Sequence, residues 1–551
     1  MLRSRIAAVL HSPMLGALIF LCAMTLLLTW PQALHLGTQI ADHGDPFLSM
    51  WRLEWLARGA PESSRPLFDG NIFYPHLRTL AYSDATLLQG TFAAPWLQAR
   101  ANPVLVYNLV FLAGIVTSGL GMFVLVRHLT GNEDAAMVSA AIFTLVPYRV
   151  EHFMHLELQW TAWMPLTLWA VHRAFDTGSV RIGALAGLFL CLQVLSSMYY
   201  GAYLAMLVAV LVVMLAISEP KRIAGAFAPL IVAGLMAAGV TLVYAQPYIE
   251  NAKTLGVRDL ADVTRFSAHL ASYITAPPQN WVWGWTSNVF EFEGNELHLF
   301  AGVVAVGLAA LAFARRQRRL PVMYLVLTAM AAILSFGTNG PIYRWLYDHV
   351  WVFGAFRAPA RFSILVFCGL SVLAGFGFAW LQQAVTAGKA RRALLMVALV
   401  AVGVEFGSLP MYLREVPATV PDVYKFVKTL DRAVMIELPE PLSPWYIYWS
   451  TTHWRPLVNG FSGYMPPDYE ETVGLMRAFP SDASLERLRR LDVKYILVHE
   501  SFYANKDYTT MMLKVLERPE LIPHGRYRDW VGWTHLIELD RAPASVSTHL
   551  H

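Results

Sequence analysis

The sequence predicts a polytopic α-helical membrane protein of about eleven transmembrane helices, followed by a small extracytoplasmic α/β domain. Three observations predict it. The first is composition: 551 residues, of which 56% are hydrophobic and only 15% charged, with a mean hydropathy of +0.44, are too apolar for an ordinary soluble multidomain protein. The second is the recurrence of apolar runs near the length of about 20 residues that a hydrocarbon core of about 30 Å requires. They centre on residues 13–30, 103–126, 134–150, 158–172, 182–197, 199–217, 223–245, 297–314, 320–336, 361–384 and 393–410. The third is the placement of Lys and Arg. Basic residues at Arg3/Arg5, Arg127, Arg173/Arg181, Lys221/Arg222, Arg315/Arg316/Arg318/Arg319 and Lys389/Arg391/Arg392 fall between alternate pairs of these runs, which marks those loops as cytoplasmic.

Taken in order, the runs put the N-terminus in the cytoplasm and, because their number is odd, the C-terminus outside. Arg3 and Arg5 precede the first run as they would in a signal peptide, but no small-x-small cleavage site follows, so the run reads as an uncleaved span. The runs at 134–150 and 158–172 are short and partly polar; counting both or neither leaves the remaining topology unchanged. Topology accounts for the basic residues and the net charge is only +4, which leaves no case for nucleic acid binding. Cys22, Cys191 and Cys368 lie inside apolar runs without metal-ligand spacing and are expected to be free thiols. Neither a Walker A sequence nor a Gly-x-Gly-x-x-Gly run occurs.

Residues 1–410 therefore form the transmembrane part, with a large first outside loop at 31–100, and residues 411–551 the extracytoplasmic α/β domain. Beyond Pro410, residues 433–438 (AVMIEL), 493–499 (VKYILVH) and 534–539 (THLIEL) read as strands. Segments near 421–430, 483–491 and 508–517 have helical spacing. The Pro-rich stretch 439–444 (PEPLSP) reads as a loop.

The polar residues left over collect on the outside. Asp42 and Asp45, three apart around His43 and Gly44, suit a general base or a divalent cation bound through oxygen; they equally suit the cap of a helix starting near Phe47. His152, His155 and Glu157 crowd a short outside turn, where the histidines can ligate a metal or share a proton with Asp45, or can be interfacial residues held by hydrogen bonds. Tyr199 and Tyr200 stand at the outer end of a hairpin of spans. Arg357 and Arg361, on the side that the positive-inside rule disfavours, sit four apart at a helix start and read either as a phosphate clamp or as snorkelling side chains. Trp281, Trp283 and Trp285 read as an interfacial aromatic belt. In the C-terminal part, loops at 452–460 and 463–467 hold Trp454, Asn459 and Tyr464, residue types that suit carbohydrate; a loop packing on the membrane part has the same composition.

The long first outside loop with its acidic pair, the many spans and the outside C-terminal domain resemble the GT-C class of membrane glycosyltransferases. Residues 44–51 (GDPFLSMW), 107–131 (YNLVFLAGIVTSGLGMFVLVRHLTG), 146–160 (VPYRVEHFMHLELQW) and 356–362 (FRAPARF) are similar to a bacterial subgroup that includes YfhO-like membrane proteins. The resemblance covers most of the first 380 residues. It implies a sugar donor carried on polyprenyl phosphate, an envelope glycan, lipid or protein as acceptor, and a place in the bacterial cytoplasmic (inner) membrane. It also implies Asp45, then Asp42, as base or metal ligand, and Arg357, then Arg361, on the donor phosphate. His152, His155, Glu157, Tyr199 and Tyr200 would serve substrate contact or proton relay, and Trp454, Asn459 and Tyr464 the acceptor. A transporter or flippase of lipid-linked sugars, which would need midspan charges and related halves, and a non-catalytic envelope-assembly scaffold are the alternative readings.

Overall fold

The computed structural model describes residues 12–292, 294–529 and 532–540. Arg3 and Arg5, and the N-terminal topology read from them, lie outside the described residues. Helices stand at each of the apolar runs, with ends that differ from the hydropathy pattern at several of them. The helix expected over 134–150 is Glu133–Leu145 and stops because Pro147 lacks an N–H; a separate short helix, Pro147–Glu151, follows. The helix expected over 223–245 continues to Leu255, about three turns past the apolar run. The one expected over 297–314 begins only at Val303, where the Glu405 carboxylate accepts from the Val303 and Val304 amides at 2.7 and 3.0 Å.

Among the described residues, four helical segments are long and apolar enough to cross a membrane: Pro103–Thr130, Met198–Ser218, Pro220–Leu255 and Pro359–Gln383. Packing separates them into two kinds. Within their apolar windows, Pro359–Gln383 is 89% buried and Pro220–Leu255 only 11%, so the first is the centre of the bundle and the second lies at its edge. Glycines let neighbours approach the central helix: a Cβ at Gly377 would collide with the Leu308 carbonyl, and one at Gly369 with the Thr328 hydroxyl. On the edge helix Phe227, Leu235, Leu242 and Val243 point outward, a surface that suits lipid and not water.

Beyond Pro410 the chain builds a four-stranded sheet in the order Val434–Leu438, Val493–His499, Trp533–Leu539, Leu521–Arg528. The first pair is parallel and the other two antiparallel. The last of these strands is one the sequence pattern misses: only Leu521 on it is fully buried, so it lacks the alternation that marks a half-buried strand. The stretch 439–444 is a single 3₁₀ turn followed by the first residues of the helix Ser443–Ser450.

That helix packs on Asp45–Glu54, with Phe47 and Tyr448 stacked at 4.8 Å. Asn71, fully buried, accepts from Trp51 Nε1 at 2.9 Å and donates to the Ser450 hydroxyl at 3.1 Å and the Arg455 carbonyl at 3.0 Å. Gln39–Ile40 pairs antiparallel with Arg414–Glu415. The segment that follows the first apolar run is therefore fixed between the helical bundle and the sheet.

Candidate active site

Asp45 is the first residue of its helix, and Gly44, not an acidic side chain, holds the capping position. Asp45 therefore spends no hydrogen bond on capping, and its Oδ2 lies 3.7 Å from His155 Nε2. Asp42 goes elsewhere: its Oδ2 accepts from the Gly44 amide at 3.1 Å and its Oδ1 faces Arg414 at 3.8 Å. Each carboxylate thus has a partner of its own, Asp42 at Arg414 and Asp45 at His155.

From Asp45 a line of ionisable groups runs inward. His155 Nδ1 meets His152 Nδ1 at 3.2 Å, and His152 Nε2 lies 3.5 Å from Glu296 Oε2. Arg361 closes the line: its Nε donates to both Glu296 oxygens, at 3.0 and 3.2 Å, and its Nη2 to Oε1. Glu296, in the short 3₁₀ turn Asn295–Leu297, is the member that sequence reasoning missed. Nothing in the run around it (EFEGNELHL) separates a site carboxylate from a solvated one. Beside it a second pair is buried, His298 Nδ1 and Glu151 Oε1 at 3.4 Å.

Burial, joined by the neighbouring His155 and Arg361 charges, outweighs the Glu296 carboxylate and pushes His152 down to about 3. The imidazole is therefore neutral at neutral pH, the form that ligates metals or takes up a proton. For Glu296, burial alone would raise the carboxyl, but Arg361 outweighs it and holds the group well below the usual carboxylate range. His152, His155 and Glu296 offer ligand atoms that all lie within 4.8 Å of one another. His152 Nε2 is buried without a hydrogen-bond partner. Two imidazoles and a carboxylate fit a divalent transition-metal ion, and Asp45 stands next to the set.

The remaining candidates separate into two groups. Glu157 turns away from the histidines to Arg52, 3.7 Å away, so it docks the 152–159 turn onto the Asp45 helix and does not join the line. Asp84, unnoticed in the sequence, accepts from Ser197 Oγ at 2.7 Å and the Met198 amide at 2.6 Å, and burial pushes its carboxyl up to about 6. The Tyr200 hydroxyl is buried against that of Tyr148 at 2.8 Å. The Tyr199 hydroxyl donates to the Ala355 carbonyl at 3.0 Å and accepts from the Arg357 amide at 3.1 Å, which fixes the segment that carries Arg357.

Arg357 lies over the Phe266 ring at 4.9 Å and, among the described residues, forms no ion pair with a carboxylate, unlike Arg361. Arg258 comes to the same side, with its guanidinium 3.2 Å from the centre of the Tyr464 ring and Nη1 on the Gly463 carbonyl at 2.5 Å. The arginine with charge to spare is thus Arg357, with Arg258 as a neighbour the sequence did not single out. Trp454 and Asn459 are not on a binding face. Trp454 packs edge-on against Trp55 at 5.6 Å, and fully buried Asn459 brackets Glu437, accepting from its amide at 2.7 Å and donating to its carbonyl at 2.9 Å. Loop composition suggested carbohydrate contact; burial assigns both residues to packing. Tyr464 alone of the three stands beside the arginines.

The helical bundle, with the folded segment that follows its first apolar run, shares its fold with solved glycosyltransferases. Among solved structures, the mycobacterial arabinofuranosyltransferase AftD shares it with a TM-score of 0.65 at 13% identity, over 96% of this chain and 40% of that one. The chain thus spans well under half the length of that enzyme. The archaeal oligosaccharyltransferase AglB from Archaeoglobus fulgidus, in complex with an inhibitory peptide and a dolichol-phosphate, gives 0.51 at 13% identity over 95% of this chain and 74% of that one. ArnT from Cupriavidus metallidurans, bound to undecaprenyl phosphate, gives 0.50 at 11% identity over 95% of this chain and 98% of that one. No protein-family model and no curated protein matches the chain.

Proposed function

We propose that the protein is a bacterial inner-membrane glycosyltransferase that moves a sugar from a polyprenyl-phosphate donor to an envelope acceptor outside the cytoplasm. Eleven spans, a cytoplasmic N-terminus, an outside C-terminal α/β domain and kinship with the YfhO-like subgroup belong to this reading. The observation that carries it is the line Asp45, His155, His152, Glu296, Arg361, which puts a carboxylate, two histidines and a paired arginine within successive contacts.

In the proposed reaction the acceptor hydroxyl oxygen attacks the anomeric carbon and its proton passes to Asp45. The bond from that carbon to the phosphate oxygen breaks, and polyprenyl phosphate leaves with the electron pair. A phosphate leaves readily, so the acceptor side needs the base and the donor side needs cations. Arg357, with Arg258 beside it, holds the donor phosphate; Tyr199 keeps Arg357 in place; Tyr464 borders the same face. A divalent ion, if bound through His152, His155 and Glu296, would supply further positive charge near the leaving group.

The test is transfer of labelled sugar by purified protein in proteoliposomes supplied with polyprenyl-phosphate sugars and envelope acceptors. Asp45→Asn should insert normally and lose transfer by about 10²-fold or more. Label that crosses the bilayer without being transferred, or a variant as active as the parent, would refute the reading. An outside-active reporter fused after Arg319 should be silent, and one fused after Pro410 active.

A further inference from the structure

The parallel strands Val434–Leu438 and Val493–His499 end at the same edge of the sheet, with Leu438 opposite Val498. Beyond the carboxyl ends of parallel strands, α/β sheets leave a crevice in which ligands bind. Here that crevice is a cavity of about 840 Å³, between the chain leaving the first strand, the end of the helix Pro467–Met476 and one side of the helix Asn505–Leu516. The volume falls in the range of about 300–1,000 Å³ typical of small-molecule sites. It is separate from the line of groups at Asp45: none of those groups lines it.

Its walls divide by chemistry. Leu438, Met476, Phe479 and Met511 are buried and make an apolar floor, and Tyr503 stands half-buried at its side. Arg477, Lys506 and Lys514 make an exposed rim; Lys506, Thr510 and Lys514 recur every four residues and so share one side of their helix. Among the described residues none of these three cations has a carboxylate within 4.0 Å, whereas Arg487, Arg489, Arg490, Lys494, Arg518 and Arg526 in the same part of the chain each do. Of the two acids at the cavity, Glu440 is already engaged by the Tyr469 and Ser443 hydroxyls. Unpaired cations above an apolar floor select a ligand with an apolar face and anionic groups at its edge.

We propose that this crevice binds an anionic saccharide segment. Ring faces lie on Tyr503 and the apolar floor, and Arg477, Lys506 and Lys514 take the carboxylates or phosphates. Its role as a docking site for the acceptor rests on the transferase reading above; the binding itself does not.

The full-length protein in phosphatidylcholine nanodiscs is titrated calorimetrically with an oligogalacturonide, a phosphorylated oligomannoside and a neutral maltooligosaccharide of equal length. At least one charged ligand should bind about tenfold or more tighter than the neutral one, and which of them does so identifies the anion. Arg477→Gln/Lys506→Gln/Lys514→Gln, whose changes are all on exposed positions, should weaken that binding about tenfold or more, and Thr510→Trp, which fills the cavity, should abolish it. Equal affinity for charged and neutral ligands, binding unaffected by either variant, or no binding of a charged ligand at millimolar concentration would overturn the proposal. Asp45→Asn should bind as the parent does, so loss of transfer with binding intact counts against the transferase reading alone.

Discussion

Glu296→Gln isolates the feature that holds the site together. The variant keeps the side-chain shape and removes the charge, which leaves the Arg361 guanidinium facing a neutral amide at the start of the central helix. Both side chains are well shielded, with 10% of Glu296 and 14% of Arg361 exposed, so solvent screens little of the lost interaction. Removing one partner of such a pair costs about 3–5 kcal/mol, because the remaining charge stays buried without compensation. Replacing both partners costs far less, so Glu296→Gln/Arg361→Gln should recover most of the loss. Unfolding of the four proteins in mixed micelles, followed by tryptophan fluorescence, gives the coupling energy directly. A loss below about 1 kcal/mol in the single variant, or a double variant no better than the sum of the singles, would refute the reasoning that the pair is a desolvated clamp. The same variant removes the anion 3.5 Å from His152, so transfer should fall more steeply than stability.

Other perturbations test other parts of the structure. Asn459→Ala strands the Glu437 amide and carbonyl in the interior at about 1–3 kcal/mol for each group, so it should lower the melting temperature while leaving the acceptor KM of the surviving folded protein unchanged. Arg357→Gln should raise the donor KM, with little loss of stability, because no ion pair is broken; an unchanged donor KM would remove Arg357 from the phosphate site. Gly377→Ala pushes a methyl group into the Leu308 carbonyl and should cost about 1–3 kcal/mol, read as loss of folded protein in detergent. For His499, burial acts to lower the imidazole, but hydrogen bonds with Asp529 and Glu437 outweigh it and raise it above 6.5. A raised folded value means this contribution is fully present below the unfolded value and is lost as pH rises through the folded one. The melting temperature should therefore fall on the alkaline side of 6.5, and His499→Gln should flatten that dependence.

The sequence by itself determined what composition and local spacing can carry. Each helix of the bundle lies on an apolar run, because burying a hydrogen-bonded backbone in lipid requires such a run and little else. Three of the four strands of the sheet that includes Val434–Leu438 lie where β-branched and apolar residues crowd, whereas Leu521–Arg528, exposed along most of its length, carries no such signal. Asp45, His152 and His155 stood out because ionisable residues at a membrane edge are rare enough to mark themselves. Tertiary structure alone decided their partners. Glu296 and Arg361 are 65 residues apart, and Asp45 and Glu296 belong to different segments between helices, so no local pattern links them. The same holds for the losses from the candidate set. Asp42, Glu157, Trp454 and Asn459 have the residue types of a site, but the Gly44 amide, the Arg52 pair, the Trp55 ring and the Glu437 backbone engage them. Residue type sets what a side chain can do; only the closure of distant segments sets which groups it meets and whether water reaches it.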